Sequence, residues 1–232
     1  MTTLEMSNLF DILYNNVMSN SAPGLSEYEK SVFLTKAQEE IVRSIYNNTF
    51  EGTEEMRRCI DVLITDKRIE PSDDEELLPF PYTRCCHAVF TLPTNIMYII
   101  IESAQYDKNA NTCWAGKWVP VSPTLYDDLH KDLRNPFRGA TETKVLRIDT
   151  SATAENNSQV ELLSKYDISL YAIRYLRKPK PIILEELEDE LSLEGESEVS
   201  NYGGEACELN KMIHHLLVER AVQLAKAAYT GR

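Results

Sequence analysis

The sequence predicts an α+β protein in which N-terminal helices and a C-terminal helix pack together and a β-rich domain lies between them. Three observations carry this. Apolar residues recur at helical spacing over positions 1–63 and again over 209–232. Between them, over 64–184, the pattern changes to short apolar runs and alternations bounded by Gly, Pro, Asn and Ser. A strongly acidic stretch, 185–208, then separates the β-rich part from the last helix. These shifts set the expected organisation: an N-terminal helical region 1–63, a β-rich domain 64–184, an acidic tether 185–208 and a C-terminal helix 209–232.

The first helix is predicted from Leu4, Met6, Leu9, Phe10, Leu13 and Val17, and Ser21-Ala22-Pro23-Gly24 breaks it. Ser26-Glu27-Tyr28-Glu29 reads as a capping box. The Ser26 hydroxyl accepts from the Glu29 amide while the Glu29 carboxylate reaches back to the Ser26 amide. The helix it opens places Phe33, Ala37, Ile41 and Ile45 four apart on one stripe. Thr53 caps a short third helix, with Glu54 and Glu55 in the first turn, where the helix dipole favours negative charge. Strands are expected at His87–Thr91, Asn95–Ala104, Lys117–Val121, Lys144–Asp149, Gln159–Ser164 and Ser169–Arg177, the last two as a closing pair. The continuous run Ile96–Ile101 suits a strand covered on both faces. A helical insert, 122–135, is opened by Ser122-Pro123, carries Leu125, Leu129 and Leu133, and is stopped by Asn135-Pro136. Leu209, Met212, Ile213, Leu216, Leu217, Ala221, Leu224 and Ala228 make a broad apolar stripe on the final helix.

Charge narrows the function. The 232 residues hold 37 acidic and 24 basic side chains, a net charge of −13. Ten of the acidic residues and no Lys or Arg fall in 185–208, so most of the net charge sits in the tether, where like charges repel and stay solvated. Such a balance argues against a broad phosphate-gripping surface. No apolar run approaches the length of a membrane span, and Met1-Thr2-Thr3-Leu4-Glu5 has no basic, apolar-led export signal. The five cysteines are irregularly spaced and read as thiols. Cys85-Cys86-His87 makes a poor metal site, because neighbours on a strand point to opposite faces and no second ligand pair follows at zinc spacing.

Catalytic motifs are missing. There is no G-x-G-x-x-G, no phosphate loop, no G-x-S-x-G and no H-E-x-x-H. Neither a metal nor a cofactor is expected. Asp127, Asp128 and Asp132 form the best carboxylate group, and a metal-dependent hydrolase or nuclease built on them is the alternative from a different class. On a short exposed helix they read first as a solvated face. His214 and His215 are adjacent on the last helix and about 100° apart, so they cannot share an ion; one falls at the edge of the stripe and one in water. Trp114 and Trp118 read as packing. The densest basic group is Arg174, Arg177, Lys178 and Lys180. Pro179 and Pro181 remove ladder donors there, so an extended arm is expected in place of a central strand. Arg174, Arg177, Lys178, Pro179, Lys180 and Pro181, with Leu216, Leu217 and Leu224 on the last helix, are the candidate partner-interface residues.

Two segments carry a resemblance. One is Ala22–Val42, Ala-Pro-Gly-Leu-Ser-Glu-Tyr-Glu-Lys-Ser-Val-Phe-Leu-Thr-Lys-Ala-Gln-Glu-Glu-Ile-Val. The other is Ile173–Leu184, Ile-Arg-Tyr-Leu-Arg-Lys-Pro-Lys-Pro-Ile-Ile-Leu, followed by the Leu209–Ala228 helix. Together they resemble virion structural proteins of crAss-like tailed bacteriophages that form ring-shaped head–tail connectors between portal and tail, and the insert Asn135-Pro136-Phe137-Arg138 fits the same group. The resemblance implies a non-enzymatic assembly protein of the virion, put together in the bacterial host cytoplasm. It implies a cyclic, twelvefold ring of this chain contacting a portal protein and adjacent tail or ring proteins. DNA would pass through the channel without sequence-specific binding, and like charge on wall and phosphate would disfavour sticking. Another tail or cargo protein of the virion is the alternative within this class.

Overall fold

The computed structural model describes residues 1–15, 24–47, 54–72, 86–108, 113–135, 137–150, 158–184 and 206–230. The chain divides into two compact units: Met1–Leu63 with Lys178–Arg232, and Ile64–Arg177. The α+β class is observed, with helices from both chain ends in one unit and a seven-stranded sheet in the other.

In the helical unit, α1 (Thr3–Asn15) buries Met6, Phe10 and Tyr14 at helical spacing. α2 (Glu27–Tyr46) opens on the capping box: the Glu29 amide donates to Ser26 Oγ at 3.3 Å and the Ser26 amide donates to Glu29 Oε2 at 2.9 Å. Its core face is Leu34, Ala37, Ile41, Val42 and Ile45, so Leu34 takes the buried place expected of Phe33, which is only half-buried. α3 (Glu54–Arg58) is a single short turn of helix that buries nothing. Its expected cap Thr53 lies outside the described residues. α5 (Lys211–Thr230) packs on α1 and α2 through Ile213, Leu217, Val218, Ala221, Val222 and Ala225. Full burial of Ile213, Leu217 and Val218 stabilises this packing by about 1.5–3 kcal/mol each. Polar contacts fix its register on α2: Arg220 clamps both Glu40 oxygens at 3.0 and 2.9 Å. Lys30 is buried between α1 and α2 and is held by Asp11 (2.7 Å), Glu27 (2.8 Å) and the Ser7 hydroxyl (3.2 Å).

The other unit contains β1 (Ile64–Ile69), β2 (Cys86–Thr91), β3 (Ile96–Tyr106), β4 (Trp118–Pro123), α4 (Tyr126–Arg134), β5 (Val145–Asp149), β6 (Gln159–Ser164) and β7 (Ile168–Arg177). The strand order is β1-β7-β3-β4-β5-β6-β2. All pairings are antiparallel except β4 with β5, which run parallel because α4 carries the chain back between them. The sheet curls until β2 and β7 approach, bringing the Phe90 and Tyr171 rings to 5.3 Å. Alternation along β5 separates two cores. Val145 joins the inner cluster of Phe90, Tyr106, Val160, Leu162 and Tyr171, whereas Leu146 and Ile148 face outward with Leu163 beneath Leu129 of α4.

Several local expectations are corrected. β6 and β7 are not partners: β6 lies between β5 and β2, and β7 between β1 and β3. Chain proximity suggested a pair, but the long β3 and β7 have the better-matched lengths and take each other. Ser122 and Pro123 do not open the helix. They complete β4, where they pair with Leu146 and Arg147 of β5, and α4 starts after Leu125, which makes no side-chain cap. The Ile96–Ile101 run is not covered on both faces; Ile100 and Ile101 are 37% and 55% exposed, and β3 slips register against β7 at two points there. β1 was not anticipated as a strand, because Ile-Thr-Asp-Lys-Arg-Ile lacks apolar alternation; an edge strand needs little of it. Residues 185–205, most of the expected acidic tether, lie outside the described residues.

Candidate interaction surfaces

The anticipated basic arm is split between the units. Arg174 lies on β7 directly opposite Asp66 of β1, and its guanidinium donates to both carboxylate oxygens at 2.6 and 2.7 Å. That fork holds the Asp66 carboxyl below its ordinary range. Arg177, half-buried, ends β7. Residues 178–184 belong to the helical unit and run extended along α2. The Ile182 amide donates to Thr35 Oγ1 at 3.1 Å, the Leu184 amide to Ser31 Oγ at 3.0 Å, and the Lys180 amide to Glu208 at 2.7 Å. Pro179, Ile182 and Leu184 are buried, while Lys178, Lys180 and Pro181 are exposed. The proline-fixed extension is therefore present, and its alternate side chains are inserted into its own chain. On α5, Leu217 is completely buried, and Leu216 and Leu224 are half-buried.

The carboxylates of α4 do not converge. Asp128 pairs with Lys131 at 3.0 Å, and Asp132 faces Arg138 at 3.9 Å. Among the described residues no three His, Cys, Asp or Glu side chains gather closely enough to hold a metal ion. Cys85 lies outside the described residues; Cys86 and His87 sit on β2, and Cys59, Cys86, Cys113 and Cys207 are free thiols. His214 is completely buried, deeper than the stripe edge expected of it, with Nε2 2.9 Å from the Leu209 carbonyl oxygen; His215 is exposed. Trp114 packs against the inner core and donates to Glu142 at 3.1 Å, whereas Trp118 is 43% exposed. Glu142 also accepts from Lys165 (2.8 Å) and Tyr166 (3.0 Å), and these donors hold its carboxyl below the usual range.

Two features were missed by sequence reasoning. The turn after α4 presents Phe137 with 90% of its surface in solvent, beside exposed Arg134 and Arg138. Its only sequence signal is an aromatic residue inside a turn-forming Asn-Pro-Phe-Arg-Gly string. On the opposite side of the ledger of burial, Glu161 of β6 is 1% exposed, and its Oε2 has no hydrogen-bond partner among the described residues. Desolvation pushes its carboxyl up to about 7. An open cleft of about 450 Å³ lies at the ends of β1, β3 and β7, lined by Glu70, Pro71, Asp107, Asp167, Ile168 and Ser169. No helix among the described residues is long and apolar enough to cross a membrane.

Among the described residues these surfaces present ion pairs, a displayed aromatic ring and a shallow acidic cleft. Residues 1–232 match the family described as phage tail ring protein 3/4. The protein named Ring protein 4/5 of Bacteroides phage crAss001 is 39% identical over 241 residues, covering 100% of this chain and 94% of the relative. Ring protein 3 of the same phage is 36% identical over 241 residues, covering 100% of this chain and 99% of the relative.

Proposed function

The chain belongs to the phage tail ring protein 3/4 family of crAss-like phages, a structural protein of the virion, and from that premise we propose that it closes into a homo-oligomeric ring connecting the portal to the tail. The observation that carries the reading is the match along the whole chain to relatives named as ring proteins. A closed cyclic ring repeats one heterologous contact, so each subunit uses two different patches. Twelve copies is the number proposed, with a portal protein on one side and further tail or ring proteins on the other. The exposed Lys178, Lys180 and Pro181, the half-buried Leu216 and Leu224, and Arg174 and Arg177 of β7 are the proposed contact residues. Residues 185–208 serve as an acidic tether, and the net charge of −13 suits a wall past which DNA slides.

Averaged images of intact particles test this. A closed ring of this chain between portal and tail is expected, with an acidic lumen wall. Single copies, an open arrangement or a basic lumen wall would contradict the reading. Assembly takes place in the host cytoplasm, and fractionation of infected cells before lysis checks that the free subunit is found there.

A further inference from the structure

In the β-rich unit, the turn after α4 is built to hold one side chain out in water. The amides of Arg138 and Gly139 both donate to the Asn135 carbonyl, at 3.1 and 2.9 Å, and the Phe137 amide donates to the Asn135 side-chain oxygen at 3.0 Å. Lys144 Nζ donates to the Arg138 carbonyl at 3.2 Å and ties the turn to the start of β5. A Cβ at position 139 would lie 3.1 Å from the Asp132 carbonyl oxygen and 3.2 Å from that of Asn135, so glycine lets the turn close without pressing on either carbonyl. Phe137 stands on this turn 90% exposed. The backbone that carries the ring is held by these bonds and the side chain has only two rotatable bonds, so ordering it on binding costs little entropy, and this is the character of an interface anchor. The tip around it is basic. Arg134 is exposed, the Arg138 side chain is 73% exposed with Asp132 3.9 Å away, and Lys131, 78% exposed, is paired with Asp128 at 3.0 Å.

A complementary surface lies on the same unit, on other strands. The cleft of about 450 Å³ has Pro71 and Ile168 as apolar lining and the carboxylates of Glu70, Asp107 and Asp167 around them. Those carboxylates do not converge on a cation-sized point. An apolar floor with acidic groups set apart fits a phenyl ring flanked by guanidinium and ammonium groups. We propose that the Phe137 turn of one copy of this chain docks into the Glu70–Asp107–Asp167 cleft of a neighbouring copy. The knob lies on the turn between α4 and β5 and the cleft at the ends of β1, β3 and β7, so the contact is heterologous and repeats around a ring. This rests on the ring reading above and names one of the two patches on each side of its interface.

The test uses the full chain in assembled particles, with a photo-crosslinking phenylalanine analogue at position 137. The expected product joins that position to the Glu70–Pro71 or Asp167–Ser169 peptide of another copy. In parallel, Phe137→Ala should weaken ring formation by about tenfold or more. Arg138→Glu and Asp167→Arg should each do the same, and the double variant should regain most of the loss. Thermal melts of each variant should match the parent, since all three positions are at the surface or in the cleft. If the parent forms rings but position 137 crosslinks to a different protein or to another face, or the charge swap fails to rescue, the docking is wrong and the ring reading stands. If the parent forms no ring, both fall together.

Discussion

At the residue scale the most informative side chain is Glu161. It pairs across the backbone with Ile148 and Val89, and alternation puts it on the Leu163 face, beneath α4. Tyr126 of α4 lies nearby, and burial, followed by the Glu161 and Asp149 carboxylates, raises its phenol. The Glu161 carboxyl ionises near 7 in the folded chain and near 4.5 when unfolded. Below about pH 4.5 both states hold the proton and the ionisation penalty of Glu161 is absent. As pH rises from 4.5 to 7 the unfolded chain releases its proton first, so folding loses stability, by a few kcal/mol in order of magnitude, and the penalty is complete above 7. Glu161→Gln should therefore raise the melting temperature at pH 8 and leave it nearly unchanged at pH 4.5. An equal loss at both values would mean that the carboxylate has a partner. The sequence did not signal this site, because Val160-Glu161-Leu162-Leu163 has apolar residues on both faces and alternation no longer separates inside from outside. A second buried carboxylate is fully partnered. Glu102 accepts from Arg147 at 2.6 Å and from the Tyr171 hydroxyl at 2.7 Å, and both members of the ion pair are about nine-tenths buried. Glu102→Gln removes the buried counter-ion of Arg147 and leaves it only the largely exposed Asp149, 3.0 Å from its Nε, so it should cost about 3 kcal/mol in urea unfolding. Glu102→Gln combined with Arg147→Met should cost less than Glu102→Gln alone, and a plain sum would show that the two do not act as a pair.

At the element scale, what was legible was local chemistry and what was not was long-range pairing. The S-x-x-E box of α2 was read from four residues and is present with both hydrogen bonds. Ser26→Ala should cost about 0.5–2 kcal/mol. From the sequence alone Glu29 looked the lesser half of the box. The structure adds a bond from the Tyr229 hydroxyl to Glu29 Oε1 at 3.2 Å, which ties the start of α2 to the end of α5. Glu29→Ala should thus destabilise at least as much as Ser26→Ala, and a double variant should lose less than the sum because the two share one motif. Chemical denaturation of the four proteins measures this directly; full additivity would show that the reciprocal cap is the wrong picture. By contrast, the neighbours of β7 could not be read from its own residues. Arg174 meets Asp66 across 108 positions, and the charged edge strand that supplies Asp66 carries no apolar alternation to announce it. The β4–α4 boundary failed for a related reason. Ser-Pro is a helix-start signal locally, but parallel pairing of Pro123 with Arg147 keeps the segment in the sheet.

At the scale of the whole molecule, the ring-protein family was legible through the Ala22–Val42 and Ile173–Leu184 segments that carry the resemblance. The Phe137 knob was not legible, since exposure of an aromatic residue depends on a turn closed by Asn135, Gly139 and Lys144 together. The division of the chain has a further consequence for folding. The helical unit is assembled from both ends, 1–63 and 178–232, whereas the β-rich unit is the single continuous segment 64–177. All seven strands find their partners inside that segment, and it holds its own inner core and its own second cluster beneath α4. A contiguous piece with complete strand pairing and a separate core meets the requirements of an independently folding domain. Residues 64–177 expressed alone should give a β-type circular dichroism spectrum and a cooperative thermal transition. The helical unit cannot be excised in this way, because removing α5 strips Ile213, Leu217 and Val218 from α1 and α2. Leu217→Asp in the full chain places a charge where no surface is exposed and should abolish the helical unit's transition while the β-rich unit still melts cooperatively. A full-length variant that loses both transitions at once, or a 64–177 fragment that melts without cooperativity, would show that the sheet depends on the helices for its stability.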